Sequence, residues 1–276
     1  MRLLIDAGNT RIKLDLMEAA SRTRASRVFA FTPDELDAAR DWLAALPGRP
    51  NRVLGVNVAG DAVAGLLESL IERPIEWVKS SEQALGVRNG YREPTQLGAD
   101  RWAGMLGLAW HERRRVGAEA AERPSALLAV FGTATTIDTL KPIHVAGADS
   151  EAADFDFQGG VILPGPDMMV LSLSQGTANL PKAQGDIALY PAHTHQAIAT
   201  GVAAAQAGAL LRQWLAGYEM YGVAPEIYVS GGGWPSVKDE VLRLLASARR
   251  GLGVASQSVH WLDAPVLDGL ACLARA

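Results

Sequence analysis

Cysteine is nearly missing from this chain: among 276 residues only Cys272 carries a thiol. One thiol supports neither an intrachain disulfide framework nor a cysteine-based metal site, which fits a reducing compartment. Cys272 itself lies in an apolar stretch and reads as a small core residue. An excess of positive charge is also lacking, with 26 Lys and Arg against 30 Asp and Glu and a formal net charge of −4. No general basic surface exists for nucleic acid. No uninterrupted apolar run approaches the length of a bilayer span, and Asp6 interrupts the first apolar run too early for a signal peptide. These absences predict a cytoplasmic protein with neither nucleic acid nor membrane as a partner. What is present is apolar bulk, 49% of the residues, enough for the core of one large domain or two medium ones.

The chain is organised around Leu3 to Leu14. An apolar run ends in Asp6, a Gly8-Asn9-Thr10 turn follows, and a second alternating run begins. This reads as strand, tight turn, strand, with Gly8 and Asn9 supplying the positive φ of a two-residue turn. Two uses stand open for it. It is an ordinary hairpin, or its turn amides, Thr10 and Lys13 hold phosphate oxygens while Asp6 holds a cation that those phosphates share. The layout recurs at Leu127 to Asp138. Superimposing the glycines pairs Asp6 with Val130, Gly8 with Gly132 and Asn9 with Thr133, which suggests two copies of one fold unit with phosphates between their hairpins.

Along the chain, strand and helix signals alternate and predict an α/β fold with a partly parallel sheet. A helix is expected from a Thr32 cap and Pro33 to about Leu46, with Glu35 completing a capping box. A strand follows at 52–58, a helix at 61–71, a short strand at 75–78, and a loop from Gly86 to Gln96. A helix starts at Ala99, with Trp102, Met105, Leu106 and Ala109 on one face and Gly104 and Gly107 allowing close approach of another helix. Charged Glu112 to Arg123 marks the boundary between halves 1–123 and 124–276. Beyond it come the second hairpin at 126–140, an acidic excursion at 146–156, a strand from Phe157, a short helix at 167–174 and a polar loop at 175–182. A long helix from Thr194 to about Leu215 carries a stripe of small residues, Ala197, Gly201, Ala204 and Gly208, suited to close helix packing. A strand at 226–230 runs into Gly231-Gly232-Gly233, and helices at 236–248 and 265–274 flank a strand at 259–262.

Asp100 falls in the first turn of its helix, where the dipole favours a carboxylate. It is either a cap or a base facing a cleft, with Arg101 then binding an anion. The glycine triplet is either a flexible turn or a place where backbone meets a ligand, and the loop at 175–182 is either a linker or part of a site.

The order of these motifs is specific. Asp-Ala-Gly-Asn-Thr-Arg-Ile-Lys at 6–13, Gly-Ala-Asp-Arg at 98–101, Gly-Thr-Ala-Thr-Thr-Ile-Asp at 132–138, Thr-Ala-Asn-Leu-Pro at 177–181 and Ser-Gly-Gly at 230–232 together resemble type III pantothenate kinase, in particular the Bvg accessory factor group. The resemblance implies duplicated ribonuclease H-like halves of the acetate and sugar kinase/Hsp70/actin superfamily, with ATP in the cleft between them. It also implies a homodimer with the pantothenate site near the subunit interface, and transfer of phosphate from ATP to pantothenate to give 4′-phosphopantothenate, the first step of coenzyme A synthesis.

Matched residue by residue, the resemblance assigns ATP phosphates to Asp6, Ala7, Gly8, Asn9, Thr10, Arg11, Ile12 and Lys13, with a further ATP contact from Thr133. It assigns pantothenate to Tyr91, Gly98, Ala99, Asp100, Arg101 and Thr177, with Asp100 as proton acceptor. Magnesium is expected at Asp6 through water, and a monovalent cation, potassium or ammonium, is implied as well. The family pattern puts the aspartate that holds this cation where the present chain has Val130, whose side chain offers no oxygen, so the cation site is either rebuilt from other oxygens or absent. His193 likewise stands where an asparagine or serine is expected at a helix start. Two other readings remain: a kinase of the same fold acting on another hydroxylated substrate, and a nucleotide-binding accessory protein with weak or no turnover, which Val130 favours.

Overall fold

The computed structural model describes residues 1–18, 24–25, 27–115, 123–143 and 154–275. In chain order the elements are β1 (Arg2–Ala7), β2 (Ile12–Met17), β3 (Phe29–Phe31), α1 (Leu36–Ala44), β4 (Arg52–Asn57), α2 (Asp61–Ile71), β5 (Glu76–Trp77), β6 (Gln83–Ala84), β7 (Val87–Asn89), α3 (Ala99–Arg114), β8 (Ala126–Phe131), β9 (Ala134–Pro142), β10 (Phe155–Pro164), α4 (Pro166–Gly176), α5 (Thr194–Tyr221), β11 (Glu226–Ser230), α6 (Trp234–Leu252), β12 (Val259–Trp261) and α7 (Pro265–Arg275). A single 3-10 turn, Pro94–Gln96, precedes α3. Part of the expected acidic excursion, 146–153, lies outside the described residues.

Two compact units result. The first comprises Met1–Glu119, Ile143–Phe157 and Ala264–Ala276, the second Ala120–Pro142 and Gln158–Asp263. In the first, a five-stranded sheet has the order β3-β2-β1-β4-β5. β1 pairs antiparallel with β2 and parallel with β4. The mixed pairing follows from the connections, since a tight turn joins β1 to β2 and a helix-bearing crossover leads to β4. One sheet face buries Leu3, Ile5, Ala7, Ile12 and Leu14 with Leu67 of α2; the other buries Leu4, Leu54 and Val56 with Ala103 of α3 and Leu267 and Leu270 of α7. Alternation along β1 thus sends successive apolar residues into two cores. The pairing of α3 with α7 is close because a Cβ at Gly107 would lie 2.1 Å from the Pro265 carbonyl, and one at Gly269 would lie 1.9 Å from the Ala103 carbonyl. Gly107 therefore has the packing purpose expected of it, and the closing helix belongs to the first unit although it is last in the sequence.

In the second unit the strands run β12-β11-β8-β9-β10. β8 is antiparallel to β9 and parallel to β11. This is the order of the first sheet again, with β8, β9, β10, β11 and β12 in the places of β1, β2, β3, β4 and β5. The helices repeat too: α1 and α5 precede the fourth equivalent strand, α2 and α6 follow it, and α3 and α7 follow the fifth. Leu127, Ala129 and Phe131 bury against Leu210 and Trp214 of α5 and Val237 and Val241 of α6. The first three residues of β10 pair instead with β7 in the first unit.

Several local expectations change. The first turn is not a two-residue one: Ala7 pairs with Ile12, so Gly8 to Arg11 form a longer loop closed by the Gly8 N–H donating to the Arg11 carbonyl at 3.1 Å. Neither Gly8 nor Asn9 has positive φ. Thr32 and Glu35 do engage each other, but the Thr32 N–H and hydroxyl both donate to the Glu35 carboxylate at 2.8 and 2.9 Å, and α1 starts only at Leu36. The threonine closes a turn before the helix rather than capping it. The loop at 86–96 contains β7 and the 3-10 turn, both too short to leave a periodic signal. α5 continues six residues beyond Leu215, to the left-handed Gly222 cap. His193 caps it after all, its Nδ1 accepting the Gln196 N–H at 3.4 Å; imidazole nitrogen replaces the usual oxygen.

Candidate active site

β1 carries Asp6 to the end of the sheet, directly across the ladder from Lys13 on β2. The Lys13 Nζ lies 3.8 Å from the Asp6 Oδ2, with the Asp6 side chain 14% exposed. Burial lifts the Asp6 pKa to about 6, Lys13 pulls it back, and the nearby Asp100 carboxylate lifts it further. Desolvation thus outweighs the single ammonium. Lys13 of the first hairpin and Asp100 of α3 thus both act on the Asp6 carboxylate.

Asp100 sits in the first turn of α3 and its Oδ1 accepts the Arg101 N–H at 2.7 Å. One oxygen of Asp100 thus satisfies a backbone N–H of the first turn. Gly98 makes room for this carboxylate, since a Cβ there would lie 2.8 Å from the Asp100 Oδ1. Gly98 has φ −56 and ψ 136, a conformation open to any residue, so the lack of a side chain matters here for space.

Arg101 is buried at 8% exposure. Its Nη1 donates to the Tyr91 hydroxyl at 2.8 Å, and the guanidinium carbon lies 5.7 Å from the Tyr91 ring centroid and 5.9 Å from that of Phe157. Tyr91 is delivered by Asn89, whose Oδ1 accepts the Tyr91 N–H at 3.0 Å. The buried Asn89 amide donates to the Ser80 hydroxyl and to the Ser81 and Pro94 carbonyls. Asn89 and Phe157 are the residues of this cluster that no sequence motif singled out. Asn89-Gly90 reads as a turn dipeptide, and Phe157 reads only as the start of a strand.

The first turn itself is tied down. The Asn9 amide donates to the Val58 carbonyl at 3.3 Å, and the Val58 N–H donates to the Ala7 carbonyl at 3.0 Å. Ala7 and Ile12 are fully buried. Asn9, Thr10 and Arg11 are exposed. In the second unit, Thr133 is exposed in the turn after β8. Thr177 is exposed at the end of α4, its hydroxyl donating to the Leu173 carbonyl at 2.7 Å. Gly231 has φ +97, and a Cβ there would lie 2.3 Å from the Phe131 carbonyl, so this turn after β11 requires glycine.

The implied metals fare differently. Asp6 is a largely buried carboxylate with a lysine ammonium at 3.8 Å, and such a group suits magnesium, which binds through one or two carboxylates, water and substrate phosphates. Among the described residues no group of three or more His, Cys, Asp or Glu residues could form a dedicated cage. At Val130 the side chain offers a monovalent cation no oxygen. That residue pairs with Thr136 and Ser230, neither of which supplies a carboxylate. Asp138 is buried further along β9, where a Cβ at Gly160 would lie 2.3 Å from its Oδ1; its carboxylate is turned against that backbone.

The repeated strand order defines the class. It is an α/β fold of two mixed sheets, and the crystal structure of an exopolyphosphatase-like protein shares it, with TM-score 0.50 at 14% identity over 98% of this chain and 96% of that one. The chain belongs to the type III pantothenate kinase family, whose family model matches residues 2–216. It is 49% identical over 279 aligned residues to a type III pantothenate kinase of Bordetella pertussis, covering 99% of this chain and 97% of the relative. It is 37% identical to one from Aromatoleum aromaticum, covering 100% and 98%. The protein is thus an ATP-dependent phosphotransferase that phosphorylates pantothenate in coenzyme A biosynthesis. Among the described residues no helix is long and apolar enough to cross a membrane.

Proposed function

We propose that Asp100 is the general base of pantothenate phosphorylation and that Asp6 organises the magnesium of magnesium–ATP through water. The observation that carries this reading is the largely buried Asp6 carboxylate, 3.8 Å from the Lys13 ammonium and raised to about 6 by burial, with Asp100 near enough to lift it further. Such perturbed carboxylates cluster where chemistry is done. Phosphoryl transfer needs little covalent help from the protein, only positioning and charge stabilisation. Asp100 orients the primary hydroxyl through Oδ2 and takes its proton as the bond to the γ-phosphorus forms. Arg101 binds the pantothenate carboxylate by charge-assisted hydrogen bonds, beside Tyr91, Gly98 and Ala99. The amides of the turn from Gly8 to Arg11, with Asn9, Thr10 and Lys13, hold ATP phosphates. Magnesium, when bound, neutralises charge on those phosphates. Thr133 and Thr177 are assigned to ATP and pantothenate by the resemblance.

The homodimer also belongs to this reading. Met169, Leu173, Ile198 and Val202 line an apolar groove of about 660 Å³ between α4 and α5. Met168, Leu171, Leu189 and Tyr190 are exposed around it, and a Cβ at Gly201 or Gly208 would meet nothing within 4 Å. These features suit a second copy on this face. Sedimentation equilibrium yielding the mass of two chains supports this, and a monomer at micromolar concentration rejects it. The reaction runs in the cytoplasm, in keeping with the single thiol. Its rate is expected to be the same in sodium, potassium and ammonium, because Val130 replaces the carboxylate that the family pattern gives the monovalent cation.

The test of the base is Asp100→Asn, which keeps shape and removes the proton acceptor. Its kcat is expected to fall roughly 100-fold or more, the usual range for a general base. Turnover like wild type from the folded variant removes Asp100 from the role.

A further inference from the structure

We infer that Phe157 is a positioning residue for the substrate carboxylate, acting through Arg101; the inference rests on the assignment of Arg101 to that carboxylate. Phe157 is fully buried at the start of β10. Its ring stacks on Tyr91 with centroids 5.7 Å apart and planes at 17°, and its carbonyl accepts the Gly90 N–H at 3.0 Å. One residue therefore fixes both the backbone beside Tyr91 and the ring of Tyr91. The Arg101 guanidinium faces both rings, 5.7 and 5.9 Å from their centroids, within the range of a cation–π interaction, which is strongest where water is excluded. A long arginine chain has several rotatable bonds and loses its aim easily. Here two stacked rings and the Tyr91 hydroxyl restrain it, so the guanidinium is set before substrate arrives.

Removing the Phe157 ring frees Tyr91 and Arg101 together. Phe157→Leu is expected to raise the KM for pantothenate about tenfold through the lost cation–π and stacking contacts. Its kcat should stay within about twofold and its KM for ATP should not move, the pattern of lost uniform binding. A loss that merely loosens the fold would affect both substrates.

The decisive experiment is a double-mutant cycle of Phe157→Leu with Arg101→Gln, read as kcat/KM for pantothenate at low substrate concentration. The expected result is that Phe157→Leu costs about tenfold in the wild type and almost nothing once Arg101 is glutamine. Equal losses in both backgrounds overturn the inference. If Arg101→Gln alone leaves kcat/KM unchanged, the assignment of Arg101 to pantothenate fails instead, and the positioning role goes with it. Should the leucine variant not fold, Phe157→Met keeps an apolar contact on Tyr91 and completes the same cycle.

Discussion

The two hairpins occupy the same place in two copies of one strand order, yet their turns differ in chemistry. In the first, Asp6 lies across from Lys13 and beside Val56 on the parallel neighbour. In the second, Val130 lies across from Thr136 and beside Ser230. The glycines play the same part in each: Gly8 donates to the Arg11 carbonyl and Gly132 to the Ala134 carbonyl, both at 3.1 Å. The glycine that closes the turn is thus kept in the duplicated unit, although four residues lie between the paired Ala7 and Ile12 and three between Phe131 and Thr135, whereas the carboxylate is present in only one copy. A β-hairpin places any side chain at the end of its first strand at the same spot; whether that spot carries a carboxylate depends on one residue.

The sharpest way to break this comparison is to make the first hairpin resemble the second. Asp6→Asn is expected to lower kcat/KM for magnesium–ATP by about 100-fold or more, the scale of losing one electrostatic partner of a transferring phosphoryl group. In the wild type, kcat/KM should fall tenfold per pH unit below about pH 6 as Asp6 takes up a proton, because this parameter reports the free enzyme. A flat profile down to pH 5 would falsify the role given to Asp6.

A smaller effect runs in the opposite direction. The folded Asp6 pKa lies above its ordinary value of 3.8, at about 6. Between those values the folded chain holds a proton that the unfolded chain has released, so stability falls as pH rises through this window, and the full cost is present above it. Asp6→Asn is therefore expected to stabilise the protein by about 1–3 kcal/mol at pH 7 and by nothing below about pH 4. Denaturant titrations at the two pH values check this. A variant that is both slower and more stable is what a strained functional carboxylate predicts.

The smallest expected effects concern the second hairpin. Val130→Asp gives it the missing carboxylate beside Ser230 and Thr136. We expect this variant to make turnover respond to potassium over sodium by a few-fold, with stability changed by about 1–3 kcal/mol because a half-buried position gains a charge. Assays of the variant in each salt check this.

Much of this arrangement was legible in the sequence. The apolar run ending in Asp6, its echo at Leu127 to Asp138, and the start of α3 at Ala99 are local signals, and the structure keeps each. The length of the first turn was not legible, because Gly-Asn suits a two-residue loop and only the pairing of Ala7 with Ile12 fixes a longer one. Nor was the place of α7, since its docking on α3 depends on Gly107 meeting Gly269 across most of the chain length. The support beneath Arg101 escaped for the same reason. Phe157 follows Tyr91 by more than sixty residues, and neither the helix nor the strand period relates them. Asn89 looked like a turn residue, and nothing local reveals that its side chain ties three loop segments together.

The central claim is that the first hairpin supplies the ion-handling carboxylate and the second does without one. Pantothenate-dependent ADP release from magnesium–ATP, measured for the purified protein in sodium, potassium and ammonium buffers, tests it most directly. The account predicts the same release in all three salts. Release confined to potassium or ammonium would contradict it, because a cation site would then exist despite Val130.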